Sequence, residues 1–199
     1  MKKLFLTFSA AIVVAFAAQA QTEKGKVILG GSVSYDYSKV KDADTESQAF
    51  GIQPTVGFFV SDNFAIGTGI GYGYEENTAA AGATFEANKL STFNVAPFAR
   101  LYKGDGDFKF FGQLSVPMAW GTAKAEDTDL GTTARYGVEL APGFAYFPTS
   151  KIGIELSVRG LYYQNSSIKP EGSDDKVSSN SFGLNANSLA PRLGVQFYF

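Results

Sequence analysis

Apolar and polar side chains alternate one by one along most of this chain. The pattern is clearest at its end, where one face carries Leu189, Pro191, Leu193, Val195, Phe197 and Phe199. A period of two residues indicates a β-strand with one apolar face and one polar or small face. Seven earlier segments alternate in the same way, so the sequence predicts eight strands, at about 26–37, 48–60, 64–74, 89–102, 108–120, 132–147, 151–163 and 181–199. The phase of the last strand slips near 186–188, which predicts a bulge there or an earlier end of the preceding loop.

The connections between these strands alternate in length along the whole chain. Short turns are predicted at 61–63, 103–107 and 148–150, and long loops at 38–47, 75–88, 121–131 and 164–180. Tight turns at one end and long loops at the other are typical of transmembrane β-barrels. We therefore predict an all-β fold, an eight-stranded antiparallel up-and-down transmembrane β-barrel, with both termini on the periplasmic side.

Aromatic side chains gather at both ends of the predicted strands, in a chain with 18 Phe and 10 Tyr. One group lies near the short turns: Phe58, Phe64, Phe108, Phe110, Phe144, Tyr146, Phe197 and Phe199. The other lies near the long loops: Tyr35, Tyr37, Phe50, Tyr72, Tyr74, Trp120, Tyr136 and Tyr162. Two such belts are typical of a barrel that spans a membrane. The alternative is a soluble eight-stranded cup of the lipocalin kind, which would turn its apolar face inward and its charges outward.

The first twenty residues form a separate segment. A basic start and a short apolar run precede Ala18-Gln19-Ala20, and these are the three parts of a secretory signal peptide. We predict a signal peptide at 1–20 with cleavage after Ala20, and one outer-membrane β-barrel domain at 21–199. An uncleaved membrane anchor is the alternative, which the small-residue cleavage site disfavours. Beyond the leader no apolar run approaches the ~18 residues that a membrane helix needs.

The stretch from Lys26 to Phe199 resembles the small eight-stranded outer-membrane barrels of the OmpA-transmembrane and OmpX type. The resemblance is carried by the leader, the eight-strand rhythm, the glycine-rich strand Gly67–Gly73 and the ending Leu193-Gly194-Val195-Gln196-Phe197-Tyr198-Phe199. It implies the bacterial outer membrane as location, with its lipids, lipopolysaccharide and the barrel-assembly machinery as partners. Phe197 and Phe199 would then belong to a C-terminal assembly signal. The implied role is structural or a cell-surface interaction with an unidentified ligand; the alternative is a narrow, porin-like passive channel for small molecules.

Charged side chains also fall on the predicted inward face of the barrel: Arg100, Lys109, Arg135, Glu139, Glu155, Arg159 and Arg192. The interior of an eight-stranded barrel is just wide enough for side chains to fill it, and an unpaired buried charge costs several kcal/mol. We therefore expect a lumen charge network. If two strands pair outward from Phe147 and Lys151, Glu139 lies directly opposite Arg159. Such a pair is either a structural plug or, as the OmpA resemblance suggests, a salt-bridge gate for small solutes.

Other classes of function find little support in the sequence. The chain has no His and no Cys, so it lacks the usual general base and the thiol nucleophile, and we predict no catalytic residue and no cofactor. Without the leader the net charge is −4, which argues against nucleic acid as a partner. The glycines at 67, 69, 71 and 73 repeat every second residue, whereas a nucleotide-binding loop leads into a helix and carries a Lys.

Carboxylates cluster in the predicted long loops: Asp42, Asp44, Glu46, Glu75, Glu76, Glu126, Asp127, Asp129, Glu171, Asp174 and Asp175. Oxygen ligands of this kind suit Ca²⁺ and Mg²⁺. No run matches the spacing of a calcium-binding loop, so we predict no metal site. The sequence leaves open whether these loops bind divalent cations at a lipopolysaccharide surface or contact another surface.

Overall fold

A computed structural model of the chain describes residues 21–40, 45–78, 89–125, 128–185 and 192–199. The side chains of Val40, Thr45, Thr78, Asn185 and Arg192 lie outside that description. The predicted leader at 1–20 and the carboxylates of Asp42, Asp44, Glu126 and Asp127 lie outside it as well. The leader and its cleavage therefore remain predictions.

The described residues form eleven strand segments: β1 Val27–Val40, β2 Thr45–Ser61, β3 Phe64–Thr78, β4 Lys89–Lys103, β5 Phe108–Ser115, β6 Met118–Ala125, β7 Thr128–Thr149, β8 Ile152–Ser157, β9 Gly160–Pro170, β10 Val177–Asn185 and β11 Arg192–Tyr198. β5 with β6, β8 with β9 and β10 with β11 each correspond to one predicted strand. Every pairing is antiparallel. Within the described ranges there is no helix of the length and apolar character needed to cross a membrane.

The sheet closes on itself between the first and last segments. Ile28 of β1 lies opposite Tyr198 of β11, and Leu29 lies opposite Phe197. Val27 N donates to Phe199 O over 2.9 Å, and Phe199 N donates to Val27 O over 3.0 Å. The predicted all-β, closed, eight-stranded antiparallel barrel is thus confirmed.

The apolar face of the strands points away from the barrel axis. Leu193, Val195 and Phe197 are 71%, 48% and 45% exposed, and similar values hold along the apolar faces of the other strands. The alternate face turns to the lumen and carries glycine, hydroxyl, amide and charged side chains. The alternative of a soluble cup with an apolar interior is therefore wrong.

The strands continue further towards the long connections than the sequence predicted. β1 reaches Val40 and β3 reaches Thr78, so Glu46, Glu75, Glu76 and Asp129 lie in strands and their predicted place in loops is wrong. Cross-strand ion pairs help to hold these extensions, between Lys39 and Glu46 and between Lys124 Nζ and Asp129 Oδ1 at 3.0 Å. Opposite charges that face each other across two strands favour the pairing, weakly where both side chains are exposed.

A bulge between β8 and β9 corrects two further predictions. Gly143 lies opposite Ser157, whereas Leu140 lies opposite Leu161, so two residues of β7 face three on the other strand, Val158, Arg159 and Gly160. An extra residue shifts the register and exchanges the two faces of the strand beyond it. Tyr162 therefore points into the lumen, and its predicted outward position is wrong. The residue directly opposite Glu139 is Tyr162 rather than the predicted Arg159.

Gly160 makes this bulge possible, and its replacement by alanine is expected to destabilise the barrel. The residue has φ +66°, and a Cβ there would lie 2.2 Å from Leu140 O. Strained backbone of this kind costs on the order of 1–3 kcal/mol, so Gly160→Ala should lower the free energy of unfolding by at least that much. Urea unfolding in lipid vesicles, followed by the fluorescence of Trp120, measures it.

Gly112→Ala is the matched control for this prediction. Gly112 lies in β5 with ordinary φ, and a Cβ there meets nothing within 4 Å. The free energy of unfolding of Gly112→Ala should stay within about 0.5 kcal/mol of that of the wild type. Equal stability of the two variants would contradict the strained bulge.

Candidate functional site

A buried ion pair spans the lumen near the short turns. Arg100 of β4 and Glu155 of β8 are 8% and 5% exposed. Arg100 Nη1 lies 2.7 Å from Glu155 Oε1 and 2.9 Å from Oε2, and Arg100 Nε donates to Gln113 Oε1 over 2.8 Å. A buried pair of charges is tolerated when its geometry is good and further hydrogen bonds satisfy both groups. Both conditions hold here.

Two tyrosine hydroxyls complete the hydrogen bonding of this pair. Tyr198 Oη donates to Glu155 Oε1 over 2.6 Å, and Tyr102 Oη accepts from Arg100 Nη1 over 2.8 Å. The two hydroxyl oxygens lie 2.8 Å apart. A buried hydrogen-bonded network of this kind holds its members in one arrangement, because each bond lost would leave a buried polar group to pay its desolvation energy.

Aromatic rings fill the space around the network. Phe59 and Phe147 are buried completely, and Phe111 places its ring 4.5 Å from the guanidinium carbon of Arg100. The Phe147 and Tyr198 rings meet edge to face with 5.0 Å between centroids. Gly153 allows this packing, since a Cβ there would lie 2.8 Å from the Tyr198 ring. We call this set the aromatic plug: Phe59, Arg100, Tyr102, Phe111, Phe147, Glu155 and Tyr198.

The segment before β1 lies against the same end of the barrel. Thr22 is 3% exposed, and its hydroxyl donates to Asn63 Oδ1 over 2.6 Å. Lys109 Nζ donates to Thr22 Oγ1 over 2.9 Å and to Asn63 Oδ1 over 3.3 Å. Asn63 N donates to Thr22 O over 2.7 Å, which ties this segment to the turn between β2 and β3. The short-turn end is thus closed by two layers of side chains.

A second ion pair lies further up the lumen, beside the bulge. Arg159 Nε donates to Glu139 Oε2 over 2.9 Å, and the Arg159 guanidinium stacks on Tyr162 with its carbon 3.8 Å from the ring centroid. Arg159 Nη2 also reaches Gln164 Oε1 at 3.4 Å. The two side chains meet although their register differs from the predicted one, because Arg159 keeps the inward side that its strand parity predicts and the bulge turns Tyr162 inward beside it.

Arg135, another of the predicted lumen cations, joins neither of these pairs among the described side chains. Arg135 of β7 lies towards the long connections and is exposed in the open part of the lumen. Arg192 begins β11 opposite Ser157, and its side chain lies outside the described residues. Among the described side chains, the expected network therefore contains the Arg100–Glu155 pair, the Glu139–Arg159 pair and Arg135, which stands apart from both; the place of Arg192 in it remains a prediction.

Three cavities line up in the lumen above the plug. One of about 240 Å³ is lined by Arg100, Gln113 and Glu139, and one of about 310 Å³ by Glu139, Arg159 and Arg135. A third, of about 550 Å³, lies towards the long connections and also touches Arg135. The lumen thus holds water-sized space down to the plug.

Sequence reasoning missed the aromatic half of the plug. Phe59, Tyr102, Phe111, Phe147 and Tyr198 all occupy inward positions of their strands. Large aromatic residues on the otherwise small or polar face, all near short turns, were the signal that could have found them.

The arrangement gives no support to catalytic or metal chemistry. The sequence has neither His nor Cys, and among the described residues no three Asp or Glu side chains come together to hold a metal ion.

Outside the apolar band, Lys39 donates a hydrogen bond to Glu46, and this bond and the carboxylate charge raise the pKa of Lys39. Lys39 therefore stays charged at neutral pH.

Comparisons with known proteins agree with the fold. The sequence matches the family model described as "Outer membrane protein beta-barrel domain" over residues 6–188. The structure is similar to the outer membrane protein OprG from Pseudomonas aeruginosa, with 16% identity, 91% of this chain and 99% of that chain covered, and a TM-score of 0.53. Neisserial surface protein A (NspA) gives 13% identity, 88% and 98% coverage, and a TM-score of 0.47. At these identities the likeness concerns the fold alone, and no curated protein matches the sequence significantly.

The Arg100–Glu155 pair provides a test of the plug. Glu155→Ala leaves the Arg100 charge buried without its carboxylate, and breaking a buried pair in this way costs about 3–5 kcal/mol. Replacing both partners, by Arg100→Met with Glu155→Leu, should restore most of that loss. Urea unfolding in vesicles measures both variants.

The exposed carboxylate of Glu171 supplies the control for this test. Glu171→Ala removes the same charge at the long-connection end, and its effect should stay within about 0.5 kcal/mol. A loss below about 1 kcal/mol for Glu155→Ala would contradict a buried, mutually dependent pair.

Proposed function

The chain belongs to the outer membrane protein beta-barrel domain family, and we propose that it is a non-enzymatic integral barrel of the bacterial outer membrane with a structural or cell-surface interaction role. The predicted signal peptide at 1–20 exports the chain, with cleavage after Ala20. The barrel-assembly machinery then reads the ending with Phe197 and Phe199. In the membrane, lipids and lipopolysaccharide contact the apolar outer face and its aromatic belts.

The single observation that carries this proposal is the aromatic plug. A solute that passed through the barrel would have to displace buried rings and a buried, hydrogen-bonded ion pair, as well as the Thr22–Asn63–Lys109 contacts below them. Removing one partner from a buried pair of this kind costs about 3–5 kcal/mol. A barrel closed in this way acts through its surfaces rather than by conduction.

The polar ends of the strands supply the surface for such an interaction. β1, β2 and β9 end in polar segments towards the long connections, and Lys169 near the end of β9 pairs at 3.6 Å with Asp174 on the connection to β10. Rigid strands that hold loops away from a membrane are a common support for recognition. This supports a surface role in the manner of the OmpX-like barrels that the sequence resembles.

The alternative is a narrow passive channel of the porin type. The cavities of about 550, 310 and 240 Å³ in line along the lumen favour it, because together they lead from the long-connection end to the plug. Conduction would require the plug to open, so the two functions differ in a measurable current.

Planar-bilayer recordings test the closed barrel. The wild type should give no current steps above the empty bilayer, because the plug fills the lumen. The variant Phe59→Ala with Tyr102→Ala removes two buried rings and should conduct. The matched control, Leu101→Ala with Phe110→Ala, removes two large side chains from the lipid-facing surface and should stay silent. Steady conduction by the wild type, or silence of the plug variant, would contradict closure by the plug.

Cysteine labelling on intact cells tests the location and the orientation. The chain has no Cys, so each new thiol is unique. Asp175→Cys, on the connection between β9 and β10, should react with a membrane-impermeant maleimide from outside. Asp105→Cys, an equally exposed aspartate in a short turn, should react only after the outer membrane is disrupted. Reaction of Asp105→Cys on intact cells would reverse the proposed orientation.

A further inference from the structure

Arg135 differs from the other inward-facing cations. Arg100 and Arg159 have carboxylate partners, and Lys109 donates to Thr22 and Asn63. Among the cations whose side chains the structure describes on the inward face, Arg135 alone makes no hydrogen bond or ion pair. A guanidinium has five donors that match a carboxylate in a fork geometry. Its donors here are free to bind a solute.

The wall beside Arg135 contains a notch. Asn94, Ala119 and Arg135 lie side by side on three neighbouring strands, β4, β6 and β7. Neighbouring strands are about 4.8 Å apart, so the small Ala119 separates two long polar side chains by roughly 10 Å. The space above its methyl group is where the cavities of about 310 and 550 Å³ meet, since these three residues line both.

The far side of the notch also offers hydrogen-bond donors. Asn94 Oδ1 accepts from Gln53 Nε2 over 2.9 Å, which fixes the amide and leaves Nδ2 to donate. Gly71 makes room for this arrangement, because a Cβ there would lie 2.6 Å from Asn94 Oδ1. On the other side of Arg135 lies Ser166, whose oxygen already accepts from Gln164 Nε2 over 3.0 Å. Its hydroxyl hydrogen therefore remains available as a donor.

The surrounding charges restrict what the notch can hold. The Glu139 carboxylate below it is engaged by Arg159. Asp36 and Glu75 line the wider cavity above, on the β1 and β3 part of the wall. These two carboxylates repel a second negative charge on a ligand, whereas hydroxyl groups can donate to them.

We infer that the notch between Arg135 and Asn94 binds the carboxylate of a compact, singly charged hydroxy acid from the long-connection side of the lumen. The carboxylate takes donors from the Arg135 guanidinium and Asn94 Nδ2, and the hydroxyl-bearing remainder lies in the wider cavity, which Ser166 also lines. Cavities of about 300–1,000 Å³ are the usual size for small ligands. The inference rests on the proposed function only for the side from which the ligand enters.

Three related solutes test the chemistry: gluconate, sorbitol and glucarate. Sorbitol replaces the gluconate carboxylate by a hydroxymethyl group, and glucarate adds a second carboxylate. In NMR titrations of the full barrel in detergent micelles, gluconate should give saturable shifts of the Ala119 and Asn94 amide groups. Sorbitol should bind at least about tenfold more weakly, because it lacks the charged group that accepts from Arg135. Glucarate should also bind at least about tenfold more weakly, because Asp36 and Glu75 repel its second carboxylate. Absence of saturable gluconate shifts, or equal binding of sorbitol, would overturn the site.

Variants assign the binding to the notch. Arg135→Gln should lower the affinity for gluconate at least about tenfold. Because Arg135 has no partner among the described residues, this replacement leaves no other polar group without a hydrogen bond. Ala119→Leu should abolish binding by filling the notch while Arg135 remains. Lys103→Gln, which removes an exposed cation at a short turn, should leave the affinity unchanged. Unchanged gluconate affinity in Arg135→Gln would refute the assignment.

The closed barrel and the gluconate site can be contradicted independently of each other. A wild-type current would overturn the closed barrel and leave the gluconate titration valid. Loss of the gluconate site would leave the plug and the proposed surface role as they are.

Discussion

The closure of the backbone hydrogen-bond ladder is the constraint on which the rest of this structure depends. In hydrocarbon, every N–H and C=O group must find its partner within the protein, and a closed β-barrel meets that demand with strands. Here the final residue meets the first strand, where Val27 and Phe199 exchange two backbone hydrogen bonds. Once the sheet is closed, strand geometry sends alternate side chains outward and inward. The apolar exterior and the polar lumen both follow from that closure.

In a closed barrel of eight strands, the interior must be filled by side chains or by water. The two halves of the lumen differ in this respect. Near the short turns, rings and the Arg100–Glu155 pair fill the lumen, and both Glu155 oxygens and the Nε and Nη1 atoms of Arg100 are hydrogen-bonded. Towards the long connections, glycine and small side chains leave space, and Arg135 stands exposed in it. The filled part and the open part of the lumen therefore lie at opposite ends of the barrel.

The bulge between β8 and β9 determines which side chains of this strand point into the lumen. One extra residue in the β8–β9 strand, with Gly160 at φ +66°, moves Tyr162 inward and Leu161 and Tyr163 outward. Arg159 then lies against Tyr162 and reaches Glu139. A change of one residue in register is enough to do this, because the side-chain period of a strand is two.

The sequence by itself determined the class, the closure and the direction of the faces. The alternation of apolar and polar residues can be read from each strand separately, without knowing which strands pair with it. Leu193, Val195 and Phe197 could therefore be assigned to the outside. The inward position of Arg100, Glu155, Glu139 and Arg159 followed from the same parity. The alternation of faces does not determine how high a residue lies along the barrel axis or where it lies around that axis. That Glu155 meets Arg100 across the lumen, that Glu139 faces Tyr162, and that Arg135 stands alone were decided by strand stagger and by the bulge at Gly160. Those depend on pairings between strands far apart in the chain, and only the tertiary structure contains them.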